Sequence, residues 1–85
     1  MLRVGIVDDH KLFRKSLALL IGSFKNTKVV LEAQNGNDLL EQLQNNPIDL
    51  LLLDIQMPEM DGFETCEYVR THYPDMKVLI VSQLT

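Results

Sequence analysis

Residues 50–54 read Leu-Leu-Leu-Leu-Asp, and this short stretch decides much of the fold. Four consecutive apolar residues are too few for a helix, and they suit a central β-strand that is covered on both faces. An acid, Asp54, follows at once, where the strand should end. A carboxylate next to a buried strand is costly unless a partner compensates its charge. Asp54 is therefore the first candidate for a functional residue.

Three more apolar runs lie on either side of this stretch, at Leu2–Val7, Val29–Ala33 and Val78–Val81. The second run is interrupted by Glu32, which is typical of an edge strand. Amphipathic stretches with helical spacing separate the four runs. Strands that alternate with helices form parallel sheets through right-handed crossovers, with helices on both faces. The sequence therefore predicts a doubly wound α/β fold.

The amphipathic stretches also predict which helical residues face the sheet. The first stretch has one apolar stripe, made of Phe13, Leu17, Leu20, Ile21 and Phe24. In the second stretch, Asp38–Glu41 offers acidic residues that can cap the start of a helix. In the third, we expect Phe63, Cys66 and Val69 to point inward. Cys66 is interpreted as a small core residue and not as a nucleophile, because it lies on this inward stripe.

Composition limits the classes of function. With 85 residues, the chain allows one domain at most, and we expect residues 1–85 to form the N-terminal part of a domain of this kind. Eight basic and 12 acidic residues give a net charge of -4, which argues against direct binding of nucleic acid by this segment. No apolar run approaches the roughly 20 residues that cross a membrane. The start of the chain lacks the pattern of a secretion signal, and a single cysteine cannot form an internal disulfide, so a cytoplasmic location is expected.

Polar residues follow each predicted strand, at the sheet edge where ligands bind in open α/β folds. Asp8 and Asp9 follow the first strand, Asp54 the third and Ser82 the fourth. If these three strands are neighbours, three carboxylates and one hydroxyl meet in one crevice. Carboxylates in close proximity repel one another unless a cation neutralises them, and hard oxygen ligands favour Mg²⁺. The sequence thus predicts a site for metal-assisted handling of a phosphoryl group.

Three stretches together resemble a known family. They are Ile-Val-Asp-Asp-His at 6–10, Leu-Leu-Asp-Ile-Gln-Met-Pro-Glu-Met-Asp-Gly at 52–62, and Val-Leu-Ile-Val-Ser at 78–82. In this order and spacing they resemble the receiver domain of bacterial two-component response regulators. The implied fold is a flavodoxin- or CheY-like sheet, which this chain follows only through its fourth strand. The first helix resembles that of regulators with a LuxR-type DNA-binding domain, through His10, Leu12, Phe13, Arg14 and Leu17.

The resemblance implies a role for each site residue. Asp54 would be the phosphoacceptor, and Asp8, Asp9 and Asp54 would hold Mg²⁺ together with the backbone carbonyl of Gln56. Ser82 would be the switch hydroxyl that binds the phosphoryl group. The implied partners are a sensor histidine kinase and an output domain or second receiver domain. His10, a lone histidine at a helix start, is interpreted as a surface or capping residue.

The end of the chain at Thr85 bears on these expectations. The family has a lysine after a fifth strand and an aromatic switch residue on it, and both would lie beyond Thr85. Lys77 precedes the fourth strand and is a poor substitute for that lysine. The last predicted strand, Val78–Val81, would be an uncovered apolar edge. We therefore expect the chain to self-associate, for example as a homodimer.

Of three alternative functions, one stays open and two are disfavoured by the sequence. A pseudo-receiver, or an interaction fragment without phosphotransfer, stays open because the expected lysine is missing. A phosphatase of the haloacid-dehalogenase kind would need an acid two residues after its nucleophile, where this chain has Gln56. A nucleotide-binding unit would need a glycine-rich turn after the first strand, where this chain has Asp8 and Asp9. We therefore expect a switch domain that assists its own phosphorylation and dephosphorylation but is not an enzyme.

Overall fold

The computed structural model describes residues 1–54 and 62–81. Strands and helices alternate in it along the chain, as the sequence predicts. The elements are β1 (Leu2–Val7), α1 (Lys11–Gly22), β2 (Thr27–Ala33), α2 (Gly36–Leu43), β3 (Leu50–Leu53), α3 (Gly62–His72) and β4 (Lys77–Ile80). No helix in the part of the chain that the structure describes is long and apolar enough to cross a membrane.

The four strands form one parallel sheet in the order β2-β1-β3-β4. The more polar β2 therefore lies at an edge, as predicted, and the all-leucine β3 lies between β1 and β4. At the carboxyl end of the strands, Val7 pairs with Leu53, and Leu53 pairs with Ile80. The neighbouring positions of β1, β3 and β4 are those that the predicted crevice requires. The fold class is thus a doubly wound α/β sheet of the CheY-like type.

Alternation of side chains along β1 and β3 divides the core into two layers. Val4 and Ile6 of β1 face α1, together with Leu52 of β3. Val7 of β1 and Leu51 of β3 face the opposite side, where α2 and α3 pack. Successive side chains of a strand point to opposite faces, so a strand that is apolar at every position serves both layers. This explains why β3 is apolar at every position.

The predicted apolar stripe of α1 is partly wrong. Leu17, Ala18 and Ile21 pack against the sheet, whereas Leu20 and Phe24 are mostly exposed. α1, all of which the structure describes, has no fully buried residue. Leu20 lies about 100° around the helix from Ile21 and so points away from the packed face, and Phe24 lies beyond the end of α1 at Gly22.

The inward face predicted for α3 also needs a correction. Val69 is fully buried and Cys66 is half-buried, but Phe63 is 73% exposed. Thr65 takes the buried position instead. At 100° per residue, Phe63 lies about 120° around the helix from Val69, whereas Thr65 lies only about 40° from it. One helical turn takes 3.6 residues, so residues spaced by three rotate progressively away from the packed face.

The start of α2 is capped by a residue other than those predicted. The side chain of Asn35 accepts a hydrogen bond from the backbone N–H of Asp38 at 2.8 Å. The Asp38 carboxylate in turn accepts one from the backbone N–H of Gln34 at 3.2 Å. Asn35 thus caps the helix as in a capping box, whereas the side chain of Asp38, in the third position, reaches back to the N–H of Gln34, one residue before the cap. The acidic Asp38 takes part, but it is not the capping residue.

Candidate functional site

Two buried carboxylates stand side by side at the carboxyl end of the sheet. Asp8 follows β1 and Asp54 follows β3, and these strands are paired in register up to Val7 and Leu53. The backbone N–H of Asp54 donates to the carbonyl of Val7 at 3.0 Å, and that of Asp8 donates to the carbonyl of Ala33 at 3.0 Å. Asp8 is 2% exposed and Asp54 4%. The sheet hydrogen bonds therefore continue one residue past the strands and hold both acids in place.

Asp9 and His10 complete a cluster on the solvent side, which we call the strand-end cluster (Asp8, Asp9, His10 and Asp54). One potential ligand atom from each of these four residues lies within 4.8 Å of all the others. Asp9 and His10 are exposed, while Asp8 and Asp54 form the buried floor. Among the residues that the structure describes, the cluster therefore has a buried floor and two members that reach the solvent.

The electrostatics of the cluster show an excess of negative charge. Burial raises the pKa of Asp8 above its ordinary value, and the nearby carboxylates of Asp54 and Asp9 raise it further. The backbone N–H of His10, which donates to Asp8 Oδ1 at 2.7 Å, acts in the opposite direction and favours the ionised form. The raised pKa indicates that the protein alone does not compensate the charge of Asp8 fully.

The donor set fits a hard divalent cation. Mg²⁺ takes oxygen ligands at about 2.0–2.1 Å, so opposite ligands lie about 4.2 Å apart. The 4.8 Å span of the strand-end cluster is close to this dimension, so small side-chain movements would suffice. Mg²⁺ keeps several water ligands, and the exposure of Asp9 and His10 is compatible with this. The residues that could hold the ion are Asp8, Asp9 and Asp54.

The structure brings together three of the predicted site residues. Asp8, Asp9 and Asp54 meet as expected, whereas Gln56 and Ser82 lie outside the described residues, and their roles stay predictions. Lys77 starts β4 beside Leu50, at the end of the sheet opposite Asp54. It therefore cannot act at this site, in agreement with the expectation from sequence.

His10 is more than the surface or capping residue that the sequence predicts. Its Nδ1 lies 3.2 Å from Asp9 Oδ1 and 3.6 Å from Asp8 Oδ1, so the ring belongs to the cluster. His10 occupies the N-cap position of α1, but its side chain makes no capping hydrogen bond. The available signal was its place directly after two acids, which brings an imidazole within reach of both carboxylates.

A parallel sheet in the order β2-β1-β3-β4, with acids at the ends of β1 and β3, is the arrangement that the sequence resemblance predicts for a receiver domain. The chain belongs to the response regulator receiver domains, and it matches that family over residues 4–85. The family resemblance seen in the sequence is thereby confirmed.

Individual relatives support this assignment. The transcriptional regulatory protein NatR of Bacillus subtilis is 30% identical over 82 residues, which are 96% of this chain and 35% of NatR. A protein-glutamate methylesterase/protein-glutamine glutaminase of Oleidesulfovibrio alaskensis is 38% identical over 85 residues, 100% of this chain and 23% of that protein. The response regulator domain of Thermotoga maritima CheB has a TM-score of 0.90 and 33% identity, and the match covers 100% of this chain and 63% of that one.

This chain spans about a third or less of the length of these two curated relatives. Their names describe different activities, one regulatory and one enzymatic, and a LuxR-family regulator occurs among the proteins that share the fold. The common part is the receiver domain, so what the chain shares with all of them is the fold of that domain.

Proposed function

We propose that this chain is the phosphoacceptor domain of a two-component response regulator. Asp54 is the acceptor, and Asp8 and Asp9 hold Mg²⁺ together with Asp54 and the backbone carbonyl of Gln56. The observation that carries the proposal is the buried Asp54 carboxyl within 4.8 Å of ligand atoms from both other acids. The family membership of the chain supports the same reading.

The chemistry is nucleophilic displacement at phosphorus. A carboxylate oxygen of Asp54 attacks the phosphoryl group of a kinase phosphohistidine, so an O–P bond forms, the N–P bond breaks and the histidine takes up a proton. When bound, Mg²⁺ supplies positive charge that offsets the charge of the phosphoryl oxygens. Asp54 presents its oxygen from a rigid strand end, and Asp8 and Asp9 orient the cation beside it. The Ser82 hydroxyl then binds a phosphoryl oxygen.

The result of phosphorylation is a change in contacts with other domains. Addition of a dianionic group at a buried strand end alters the charge balance of the crevice and favours a second conformation. We propose an output domain or a second receiver as the part that responds, and a sensor histidine kinase as the phosphodonor. The output is transcriptional and of the LuxR type, a proposal supported by the residues of the first helix. The domain acts as a cytoplasmic switch that assists its own phosphorylation and dephosphorylation, without turnover of a separate substrate.

Intact-mass measurement after incubation with acetyl phosphate and Mg²⁺ tests the proposal. The protein should gain the mass of one phosphoryl group, and Asp54→Asn should gain none, because an amide cannot form an acyl phosphate. Asp49→Asn is a matched control, since Asp49 immediately precedes β3 and Asp54 immediately follows it. This control should be modified like the wild type. An unmodified wild-type protein that still binds Mg²⁺ would favour the pseudo-receiver alternative.

A further inference from the structure

Arg14, in the first turns of α1, contacts the backbone of the strand-end cluster. Its Nη1 donates a hydrogen bond to the main-chain carbonyl of Asp8 at 2.6 Å. The Arg14 side chain is only 12% exposed, which is unusual for arginine and indicates a fixed position. The role proposed above for the acids does not involve this residue.

The carbonyl of Asp8 belongs to the peptide group that joins Asp8 to Asp9. A peptide group is planar, so a hydrogen bond to its oxygen restrains the rotation of the whole plane. The other end of that plane carries the Cα of Asp9, and its orientation decides where the Asp9 carboxylate points. The remaining polar groups of Asp8 already have partners, because its N–H donates to Ala33 and its carboxylate accepts from the N–H of His10. Arg14 thus supplies the restraint on the carbonyl side of this turn.

Arg14 is itself held from the side of β2. Its Nε lies 3.5 Å from Glu32 Oε1, an ion pair without a hydrogen bond between these two buried atoms. Lys15 lies 3.4 Å from the same oxygen of Glu32, but its side chain is 55% exposed. Arg14 and Lys15 therefore share an acidic partner, while Arg14 also reaches the Asp8 carbonyl.

We propose that Arg14 is a positioning residue, which orients the Asp9 carboxylate for the cation by holding the peptide group between Asp8 and Asp9. The proposal rests on the proposed function, because it assumes that Asp9 is a ligand. The direction in which cation affinity changes when Arg14 is replaced tests this role. Removal of a positive charge near a cation site should by itself strengthen cation binding. Loss of a positioning contact should weaken it.

Mn²⁺, a paramagnetic substitute for Mg²⁺, provides the first measurement. Titration followed by electron paramagnetic resonance should show about ten-fold weaker binding to Arg14→Gln than to the wild type, the usual cost of losing a residue that orients a metal ligand. Lys15→Gln is the matched control, because it removes a cation beside Glu32 without touching Asp8. It should bind Mn²⁺ at least as well as the wild type. Should Arg14→Gln fail to fold, Arg14→Met carries the same test, since its unbranched stem fills similar space.

Amide hydrogen exchange in the metal-free protein provides the second measurement. The His10 amide should exchange roughly five- to ten-fold faster in Arg14→Gln, the effect of one lost hydrogen bond on the turn, and at the wild-type rate in Lys15→Gln. Unchanged exchange in Arg14→Gln, or equal or tighter Mn²⁺ binding, would overturn the positioning role. A wild-type protein that binds no Mn²⁺ would instead contradict the proposed metal site, and exchange alone would then decide the role of Arg14.

Discussion

Asp8 and Asp54 are carboxylic acids at positions where a folded protein normally has apolar or hydrogen-bonded residues. Burial of a charge is unfavourable unless a partner compensates it, and here the neighbours of Asp8 include two more carboxylates. The pKa of Asp8 is raised as a result, so its ionised form costs folding free energy. The metal-free protein is therefore less stable than it would be with neutral groups at this site.

Asp8→Asn should raise the melting temperature of the metal-free protein at neutral pH. The amide retains an oxygen that can accept from the His10 N–H, and it removes the buried charge. Each kcal/mol gained corresponds to roughly 4–8 °C for a domain of 60–100 residues. Mg²⁺ should raise the melting temperature of the wild type and have less effect on the variant. Thermal denaturation with and without Mg²⁺ measures both, with the exposed Asp75→Asn as control; a variant less stable than the wild type without Mg²⁺ would contradict the account.

At the other end of the sheet, the pKa of Asp49 is lowered, whereas that of Asp8 is raised. Its carboxylate accepts hydrogen bonds from Arg3 Nε at 3.1 Å and Arg3 Nη2 at 3.0 Å, and a third from the Arg3 backbone N–H at 2.8 Å. These hydrogen bonds lower the pKa of Asp49 from 3.8 to about 2. A lowered pKa in the folded state means that the stabilisation is present above the unfolded value and is lost as the pH falls through the folded value.

The difference in stability between the wild type and Asp49→Asn should therefore be constant above about pH 5 and shrink between about pH 4 and pH 2. Urea denaturation at several pH values measures it. Asp75→Asn, which removes an exposed carboxylate other than the one that accepts from Arg3, is the control variant for this series. If the free energy of unfolding of the wild type exceeded that of Asp49→Asn by the same amount at pH 2 as at neutral pH, the Arg3–Asp49 pair would not contribute to folding through its charge.

At the scale of elements, the sequence was most informative about strands. Runs such as Leu50–Leu53 carry their pattern locally, because both faces of the strand are covered and every position is apolar. The faces of helices were harder to predict, since the packed face depends on where the sheet lies. Phe63 is apolar but exposed, and Thr65 is polar but buried. Only the position of α3 on the sheet distinguishes these two residues.

The meeting of the three acids could also be predicted from the sequence, because it depends on where the strands end. Asp8, Asp9 and Asp54 follow strands, and parallel strands end at a common edge, so their meeting required only the strand order. The contacts of His10 and Arg14 depend instead on the path of the turn between β1 and α1. Such a path is set by individual hydrogen bonds, for example that from the His10 N–H to Asp8, and no periodic pattern encodes it.

Gly5 and Gly22 provide a test of how β1 packs. A Cβ built on Gly5 would lie 2.6 Å from Ile48 Cδ1 and 3.1 Å from Leu31 Cδ1, within the layer that faces α2 and α3. Gly5→Ala should therefore destabilise the protein by about 1–3 kcal/mol, the usual cost of overpacking a core. In α1, nothing among the described residues lies within 4 Å of a Cβ built on Gly22.

Gly22→Ala should stabilise the protein by up to about 1 kcal/mol, because alanine favours the helix more than glycine does. Thermal or urea denaturation of both variants makes the comparison. A neutral Gly5→Ala would show that Ile48 and Leu31 can move aside, and that the strand does not need glycine for close packing.

At the scale of the whole molecule, a number of large apolar residues are exposed on α1 and β4. They include Leu12, Leu19, Leu20, Phe24, Leu79 and Ile80. Exposed apolar surface of this kind favours association, and β4 is an edge strand of the described sheet. We predict that the chain self-associates at micromolar concentration, and sedimentation equilibrium measures this directly. A compact monomer over the whole concentration range would contradict the prediction.

The central claim is that the acidic end of the sheet accepts a phosphoryl group on Asp54, and mapping of the modified residue tests it most directly. The protein is treated with acetyl phosphate and Mg²⁺ and then with hydroxylamine, which converts an aspartyl phosphate into a stable hydroxamate. Peptide mass spectrometry then locates the hydroxamate. The account predicts that it is found on Asp54 and depends on Mg²⁺. A hydroxamate on Asp8 or Asp9, or none at all under conditions in which Mg²⁺ is bound, would contradict the account.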